Sequence, residues 1–179
     1  MFIGEGSDII NNTIGDNSYN NTFDDDIDGN VIGSGFSNNT SNDDFDDNRI
    51  GQDFRGNIIT ANFYRNQIGY NFNNNIITCD SDFDDNRIGN NFNNNRIGSD
   101  FYSNILIGGS FYRNNIGNDF ASNVWTNGDF QNNEIGNQFN NNNIYAQFYN
   151  NDIGNGYNNN ESYSDYYRNI IGNGYNNNT

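Results

Sequence analysis

Aspartate is the residue type whose grouping could support chemistry, because it falls into three short clusters. They are "DDD" at 24–26, "DDFDD" at 43–47 and "DSDFDD" at 80–85. Calcium takes several oxygen ligands, so clustered carboxylates are candidates to bind it. The alternative is an acidic, solvated surface that keeps the protein soluble. The calcium candidates are Asp24, Asp25, Asp26, Asp43, Asp44, Asp80, Asp82 and Asp84, and no other metal or cofactor is expected.

The composition argues against an enzyme. The chain has no histidine and one cysteine, Cys79, so the usual triads that activate a serine or cysteine nucleophile are missing. A lone cysteine also leaves no internal disulfide and no multi-cysteine zinc site. Aspartate is abundant enough for the two-carboxylate mechanism of glycosidases, but no pair stands out from the pattern around it. We therefore expect a non-enzymatic protein.

Charge limits the partners. A formal net charge of -16 argues against binding nucleic acid or an anionic membrane, since both require a basic surface. No stretch approaches the roughly 18 apolar residues of a membrane span, and the N-terminal "MFIGEGSDII" lacks the features of a signal peptide.

Several tyrosines follow the repeated phenylalanines and should face outward, where they could bind glycans, join protein interfaces or pack on each other. They are Tyr64, Tyr102, Tyr112, Tyr149 and Tyr167.

A nine-residue repeat runs through almost the whole chain. Its 19 units begin at Ile9 and end with the unit that starts at Tyr175, and most of them start with Phe. The spacing is nine residues, apart from one step of eleven, which absorbs extra residues at 78–82, and two steps of ten. Asn lies three residues after the first residue of every unit. Ile usually lies five residues after that first residue, and Gly often follows the Ile. We interpret residues 1–179 as a single repeat domain of F-x-x-N-x-I-G units.

The glycine after Ile alternates between successive units near both ends of the chain. Gly33 and Gly51 are separated by Asn42, and later Gly136 and Gly154 are separated by Tyr145. The alternation suggests that two units, or 18 residues, form one coil of a solenoid. Its phase changes around residues 89–117.

The repeat favours an all-β fold, a parallel β-solenoid with about two units per coil. Apolar residues recur at steps of five and four, and Gly, Asn and Asp are poor helix formers. Asn and Ile lie two residues apart, so a short strand directs both inward, whereas an odd spacing from Phe to Asn requires a bend. We expect the glycine to supply a second bend, at which a positive φ is needed. Stacked coils would place Phe on Phe and Ile on Ile about 4.8 Å apart.

Asparagine is the polar component of this expected core. Its amide can bond both the corner backbone and the equivalent Asn in the next coil, forming a ladder. The residues that we expect to hold the fold together are Asn48, Asn57, Asn66, Asn75, Asn86 and Asn95 in the ladders, with Phe54, Phe63, Phe72, Phe83, Phe92, Ile50, Ile68, Ile88 and Ile97 in the core.

The F-x-x-N-x-I-G repeat resembles the short tandem repeats of phage fibres and other virion appendages built from β-helices. The resemblance implies a structural role in a virion or an extracellular filament, with other virion proteins or surface glycans as partners. An intertwined trimeric β-helix, in which three chains share each turn, is the alternative architecture. The repeat is also similar, more weakly, to pentapeptide-repeat proteins, which form four-sided coils and in some cases mimic DNA. The strict period of five of that family is absent here.

Neither end of the repeat carries a recognisable polar cap. An uncapped terminal coil is an open strand edge. We therefore expect the ends to be covered by another copy or a partner, so that the protein stacks end to end, or as a trimer, into a fibre or filament. The rival function is an acidic module that mimics DNA or binds glycans or proteins.

Overall fold

The chain forms an all-β parallel solenoid of about nine coils, as the sequence predicts. The computed structural model describes residues 2–3, 8–78 and 82–179. Within these ranges every regular element is a short β-strand, and all strand pairings are parallel. Each coil has four sides, which we number as faces 1 to 4 in chain order, and one chain supplies all four.

Faces 1 and 2 are continuous ladders of two-residue strands. Face 1 consists of Phe2–Ile3, Thr22–Phe23, Thr40–Ser41, Ile58–Ile59, Ile76–Ile77, Arg96–Ile97, Asn115–Ile116, Glu134–Ile135, Asp152–Ile153 and Ile170–Ile171. Face 2 consists of Ile9–Ile10, Ile27–Asp28, Phe45–Asp46, Phe63–Tyr64, Phe83–Asp84, Phe101–Tyr102, Phe120–Ala121, Phe139–Asn140, Tyr157–Asn158 and Tyr175–Asn176.

Faces 3 and 4 merge late in the chain, where two longer strands, Val124–Gln131 and Asn143–Tyr149, run across both. The other strands of face 3 are Thr13–Ile14, Val31–Ile32, Arg49–Ile50, Gln67–Ile68, Arg87–Ile88, Ile105–Ile107 and Glu161–Ser162. The other strands of face 4 are Phe54–Arg55, Phe72–Asn73, Phe92–Asn93, Ser110–Tyr112 and Tyr166–Tyr167, and isolated bridges at Tyr19 and Ser37 extend this face towards the N-terminus.

The bend between Phe and Asn comes from a residue in the left-handed conformation. The residue just before the ladder asparagine has a positive φ in every unit, for example 53° at Asp47 and 52° at Arg65. Residues other than Gly, Asn and Asp rarely adopt this conformation, because their Cβ makes it cost roughly 1–2 kcal/mol. The solenoid therefore holds Arg65 and its equivalents there through the packing on either side.

The prediction that the glycine after Ile needs a positive φ is wrong. Gly51, Gly69 and Gly89 are not left-handed, and the positive φ lies two residues later, at 62° for Asp53 and 66° for Asn71. Glycine is required for a different reason: a Cβ on Gly89 would lie 1.5 Å from the carbonyl oxygen of Gly69. The backbones of successive coils approach too closely at this corner for any side chain.

Phenylalanine rings fill the centre of the rod in two stacks. Within a face the rings are parallel, as for Phe83 and Phe101, whose centroids are 4.8 Å apart at 7°. Across the core the rings of faces 2 and 4 meet edge to face, as for Phe83 and Phe92 at 5.9 Å and 73°. Both are favoured geometries for aromatic pairs. The predicted stacking of Phe on Phe is confirmed.

Candidate functional site

Two ladders of asparagine run along the rod, one at the corner between faces 2 and 3 and one at the corner between faces 4 and 1. In the first, the N–H of Asn48 donates to Oδ1 of Asn66 at 2.9 Å, and the N–H of Asn66 donates to Oδ1 of Asn86 at 2.8 Å. Nδ2 of Asn66 also donates to the carbonyl oxygen of Phe45 at 2.7 Å. Each amide thus pairs groups of the preceding coil that would otherwise be buried without a partner.

The second ladder repeats this geometry. The N–H of Asn57 donates to Oδ1 of Asn75, and that of Asn75 to Oδ1 of Asn95, both at 2.9 Å. Nδ2 of Asn75 donates to the carbonyl oxygen of Phe54 at 3.0 Å. All six ladder asparagines named from the sequence are buried, with at most 2% of their surface exposed, so the predicted ladders are confirmed.

The aromatic and aliphatic residues named from the sequence occupy the core. Phe63 and Phe83 belong to face 2, and the aliphatic side chains fill faces 1 and 3. The buried set contains all of those named: Phe54, Phe63, Phe72, Phe83, Phe92, Ile50, Ile68, Ile88 and Ile97.

Six of the eight aspartates proposed as calcium ligands lie at the corner between faces 1 and 2. Carboxylate oxygens of Asp26, Asp43 and Asp44 lie within 4.8 Å of one another, at the corner between faces 1 and 2 of adjacent coils. Asp24 and Asp25 belong to the same corner, Asp82 lies further along it, and Asp84 lies on face 2, whereas Asp80 is outside the described residues. Calcium binding at this corner stays a prediction.

Two aspartates on face 2 form hydrogen bonds to the next coil. Oδ1 of Asp46 accepts the N–H of Tyr64 at 3.1 Å, and Oδ1 of Asp84 accepts the N–H of Tyr102 at 3.0 Å. Burial, and then the nearby Asp44 carboxylate, raises the pKa of Asp46 to about 6. Sequence reasoning missed Asp46, although its position directly after a core Phe marks it as a residue beside the ladder.

Burial, followed by the nearby Asp82 carboxylate, likewise raises the pKa of Asp84 to about 6. The hydrogen bond from the N–H of Tyr102 opposes the shift without cancelling it. Asp84 therefore accepts a hydrogen bond from the next coil and has a raised pKa, and both features distinguish it from a fully solvated acidic residue.

The tyrosines that follow the core phenylalanines line the outside of the rod. The guanidinium of Arg65 lies 4.4 Å from the ring centre of Tyr64, and that of Arg113 lies 4.7 Å from that of Tyr112. Near the C-terminus Tyr149 stacks on Tyr167 at 4.9 Å, and Tyr145, which follows an Ile, stacks on Tyr163 at 4.5 Å. Tyr149 and Tyr167 thus pack on each other, which was one of the roles expected of these tyrosines.

Face 3 carries an open groove of about 500 Å³, which runs along a column of glycines. The outward side chains of three successive strands, Arg49, Gln67 and Arg87, line it together with Gln52 and Tyr70. Sequence reasoning missed this groove. The signal was present: Arg49 and Arg87 precede Ile-Gly in units that are four apart, and alternate units share a face.

The last coil, residues 162–179, exposes side chains that are buried in the coils before it. Tyr166 and Tyr175 occupy the core position of faces 4 and 2 but are 38% and 55% exposed, whereas Tyr157, one coil earlier on face 2, is 1% exposed. Asn169 and Asn178 accept ladder bonds from Asn151 and Asn160, both at 2.9 Å. The backbone N–H groups of Asn169 and Asn178 donate to no acceptor among the described residues.

Comparison with protein-family models, curated proteins and solved structures found no match for this chain. Among the described residues no helix is long and apolar enough to cross a membrane.

Proposed function

We propose that this protein is a structural, non-enzymatic rod that stacks end to end with further copies of itself to form a fibre. A phage fibre or another virion appendage, or an extracellular filament, is the setting that the repeat favours. The observation that carries the proposal is the repetition of core rings and ladder bonds from coil to coil, a pattern that the coils of a second copy can continue.

Tyr166, Tyr175 and Ile171 present apolar side chains on the outer side of the last described coil. In an interior coil the next ring covers such a side chain, as Tyr166 covers Phe148 with centroids 5.1 Å apart. A further coil on Tyr166 and Tyr175 would remove their exposed surface from water, with a gain of about 25 cal/mol per Å² of apolar area. An open edge of parallel strands is also a template for pairing with another chain.

The backbone N–H donors of the last ladder asparagines match the Oδ1 acceptors of the first ones. In the interior, each ladder N–H donates to an Asn Oδ1 of the next coil. Asn12 and Asn21 are the first ladder asparagines of the described coils, and among described residues no N–H reaches their Oδ1 atoms from an earlier coil. A second copy could therefore present Asn12 and Asn21 to the N–H groups of Asn169 and Asn178. Because both units of a coil carry the same inward pattern, a half-turn about the rod axis would keep the two ladders aligned.

Negative-stain electron microscopy and light scattering over a range of protein concentrations test this proposal. We expect fibres of uniform width that lengthen with concentration. A double variant, Tyr166→Asp with Tyr175→Asp, places charge on the stacking surface and should leave short rods with the mass of one chain. Tyr167→Asp is the matched control, because Tyr167 belongs to the same coil but faces outward.

Two results would overturn end-to-end stacking. One is a wild-type protein that stays a single rod at every concentration, and the other is equal loss of fibres in the control and the double variant. A discrete species with the mass of three chains would instead support the intertwined trimer.

An acidic module that mimics DNA is the second candidate. The observation that favours it is the placement of Asp28, Asp46 and Asp84 on face 2 beside the acidic corner formed by Asp26 and Asp44, so that one side of the rod concentrates negative charge. A pull-down with DNA-binding proteins, competed with duplex DNA, tests it. Capture that DNA displaces supports the mimic, whereas capture that DNA leaves unchanged argues against it.

A further inference from the structure

The groove on face 3 owes its shape to missing side chains. Gly51, Gly69 and Gly89 follow the three strands in succession, and the N–H of Gly69 donates to the carbonyl oxygen of Gly51 at 2.8 Å. The strand residues precede these glycines and the corner residues Gln52 and Tyr70 follow them. The groove therefore runs along the rod, with backbone as its floor and polar side chains beside it.

The charge of the groove is opposite to that of the whole molecule. The chain carries seven cationic side chains against 23 acidic ones, yet the ionised residues lining the groove are the two arginines Arg49 and Arg87. Neither forms an ion pair with a described carboxylate, since the ion pair found among the described residues joins Arg65 to Asp47. Both arginines are exposed and have the planar fork that binds carboxylates in a bidentate manner.

The spacing of the arginines defines a ligand. Arg49 pairs with Gln67 in the ladder, and Gln67 pairs with Arg87, so the two guanidinium groups are anchored two coils apart. At the usual strand spacing their backbones are about 10 Å apart along the rod. A ligand that met both would be extended along the groove and would carry two anionic groups at about this separation.

The remaining lining residues indicate the chemistry between these charges. Gln52 and Gln67 offer amide donors and acceptors, which suit hydroxyl groups. Tyr70 is 48% exposed and presents an aromatic ring at the groove. An aromatic surface beside hydrogen-bonding amides suits a sugar ring, which has an apolar face and a rim of hydroxyls.

We propose that the face 3 groove binds an extended acidic oligosaccharide, with two of its carboxylates held by Arg49 and Arg87 and the sugar between them on Gln67 and Tyr70. The site lies on the side of the rod and is independent of the end-to-end stacking proposed above. Nucleic acid fits less well, because the acidic remainder of the surface repels a continuous run of phosphates.

Isothermal titration calorimetry with a linear tetramer of galacturonic acid tests the site, and the fully methyl-esterified tetramer is the matched ligand without charge. We expect the acid to bind and the ester not to bind. The double variant Arg49→Gln with Arg87→Gln should weaken binding by about tenfold for each charge-assisted pair lost. Tyr70→Ala should weaken it further, and binding should fall as salt is added.

Arg96→Gln is the control variant, because Arg96 occupies the equivalent exposed strand position on face 1, away from the groove. Its affinity should equal that of the wild type. Circular dichroism of each variant checks that the fold is kept. No binding by folded wild-type protein, equal weakening by Arg96→Gln, or equal affinity for the ester would each overturn the proposal. Preference for a sulfated tetramer over the carboxylate would overturn the assignment of the ligand class.

Discussion

The two halves of the rod turn their corners in opposite ways. In the N-terminal half the tight, left-handed corner joins faces 3 and 4, with positive φ at Asp53 and Asn71. At the corner between faces 1 and 2 of the same region, Asp44 and Asn62 have no positive φ. Aspartates cluster at this second corner, among them Asp26, Asp43 and Asp44.

In the C-terminal half the arrangement is exchanged. Gln138 and Gly156 are left-handed at the corner between faces 1 and 2, with φ of 67° and 83°, while Gln147 between faces 3 and 4 is not. The two schemes overlap in the middle, where both corners are left-handed: Asn91, Gly108 and Asn127 have a positive φ at the corner between faces 3 and 4, and Asp100 and Asp119 at the corner between faces 1 and 2. The glycine after Ile lies at the corner between faces 3 and 4 in the first half and at the corner between faces 1 and 2 in the second. Its presence therefore reports the geometry of the corner and not one particular side of the rod.

The ladders should not depend on which half they cross, and their loss should have the largest effect. Asn66→Leu in the first half and Asn142→Leu in the second each leave an N–H and a carbonyl group of the preceding coil without partners. We expect each to lower the free energy of unfolding by about 3–5 kcal/mol. Chemical denaturation measures this.

The matched control is Asn115→Leu, which replaces an exposed asparagine whose side chain bonds only the side chain of Glu134 among the described residues. Its stability should stay within about 0.5 kcal/mol of the wild type. A much larger loss in one half than in the other would contradict the equivalence of the ladders.

Alanine at the glycine corner should reveal the exchange of corners directly. A Cβ would lie 1.5 Å from the carbonyl oxygen of Gly69 in Gly89→Ala, and 1.6 Å from that of Gly98 in Gly117→Ala. We expect each variant to lose about 1–3 kcal/mol of stability, measured by thermal or chemical unfolding, because the backbones must move apart.

Two controls isolate this effect. Gly15→Ala meets no described atom within 4 Å and should be close to neutral. Thr60→Ala changes the same slot of the repeat at the corner between faces 1 and 2, before the point of exchange, and should cost less than Gly117→Ala at the same corner. Equal losses at Thr60 and Gly117 would show that glycine does not mark the tight corner.

The N-terminal half, which carries most of the aspartates, should respond to pH more strongly than the less acidic C-terminal half. The folded pKa of both Asp46 and Asp84 is raised from 3.8 to about 6, so the folded state binds protons more tightly than the unfolded chain. Their stabilising contribution is complete below about pH 4 and is lost as the pH rises through about 6. Asp46→Asn and Asp84→Asn keep an oxygen acceptor, as Asn73 and Asn140 do at the same slot in other coils.

Each of these variants should therefore be more stable than the wild type at pH 7.5, by about 1 kcal/mol after allowance for solvent screening, and about equal to it at pH 4. Denaturation at the two pH values checks this. Asp152→Asn on exposed face 1 is the control. A variant that is less stable at pH 7.5 would show that the carboxylate charge strengthens the coil-to-coil bond.

The ion pair between Arg65 and Asp47 should matter least, although it belongs to the acidic half. Both side chains are largely exposed, at 51% and 41%, and solvent screens their attraction. We expect Arg65→Gln to leave the midpoint of chemical denaturation nearly unchanged. A larger loss in chemical denaturation would point to the contact of Arg65 with the ring of Tyr64.

The sequence predicts the solenoid well because its strongest signal, the spacing of Phe, Asn and Ile, is the signal that sets coil length and core. The ladder role of Asn66 follows from its fixed distance to Phe63 and Ile68. The groove was missed because it depends on which units share a face, and thus on Arg49 and Arg87 meeting only after the chain has made two complete coils. The role of glycine was misjudged because a close approach between coils leaves no trace in the local sequence that differs from a turn.

Cryo-electron microscopy of the assembled fibre tests the central claim, that the rod grows by adding coils of a second copy to its last coil. We expect unbroken ladders at the junction, with the same coil spacing as inside one chain. The backbone N–H groups of Asn169 and Asn178 should bond asparagine oxygens of the next copy. Fibres built from rods lying side by side, with Tyr166 and Tyr175 still open to water, would contradict it.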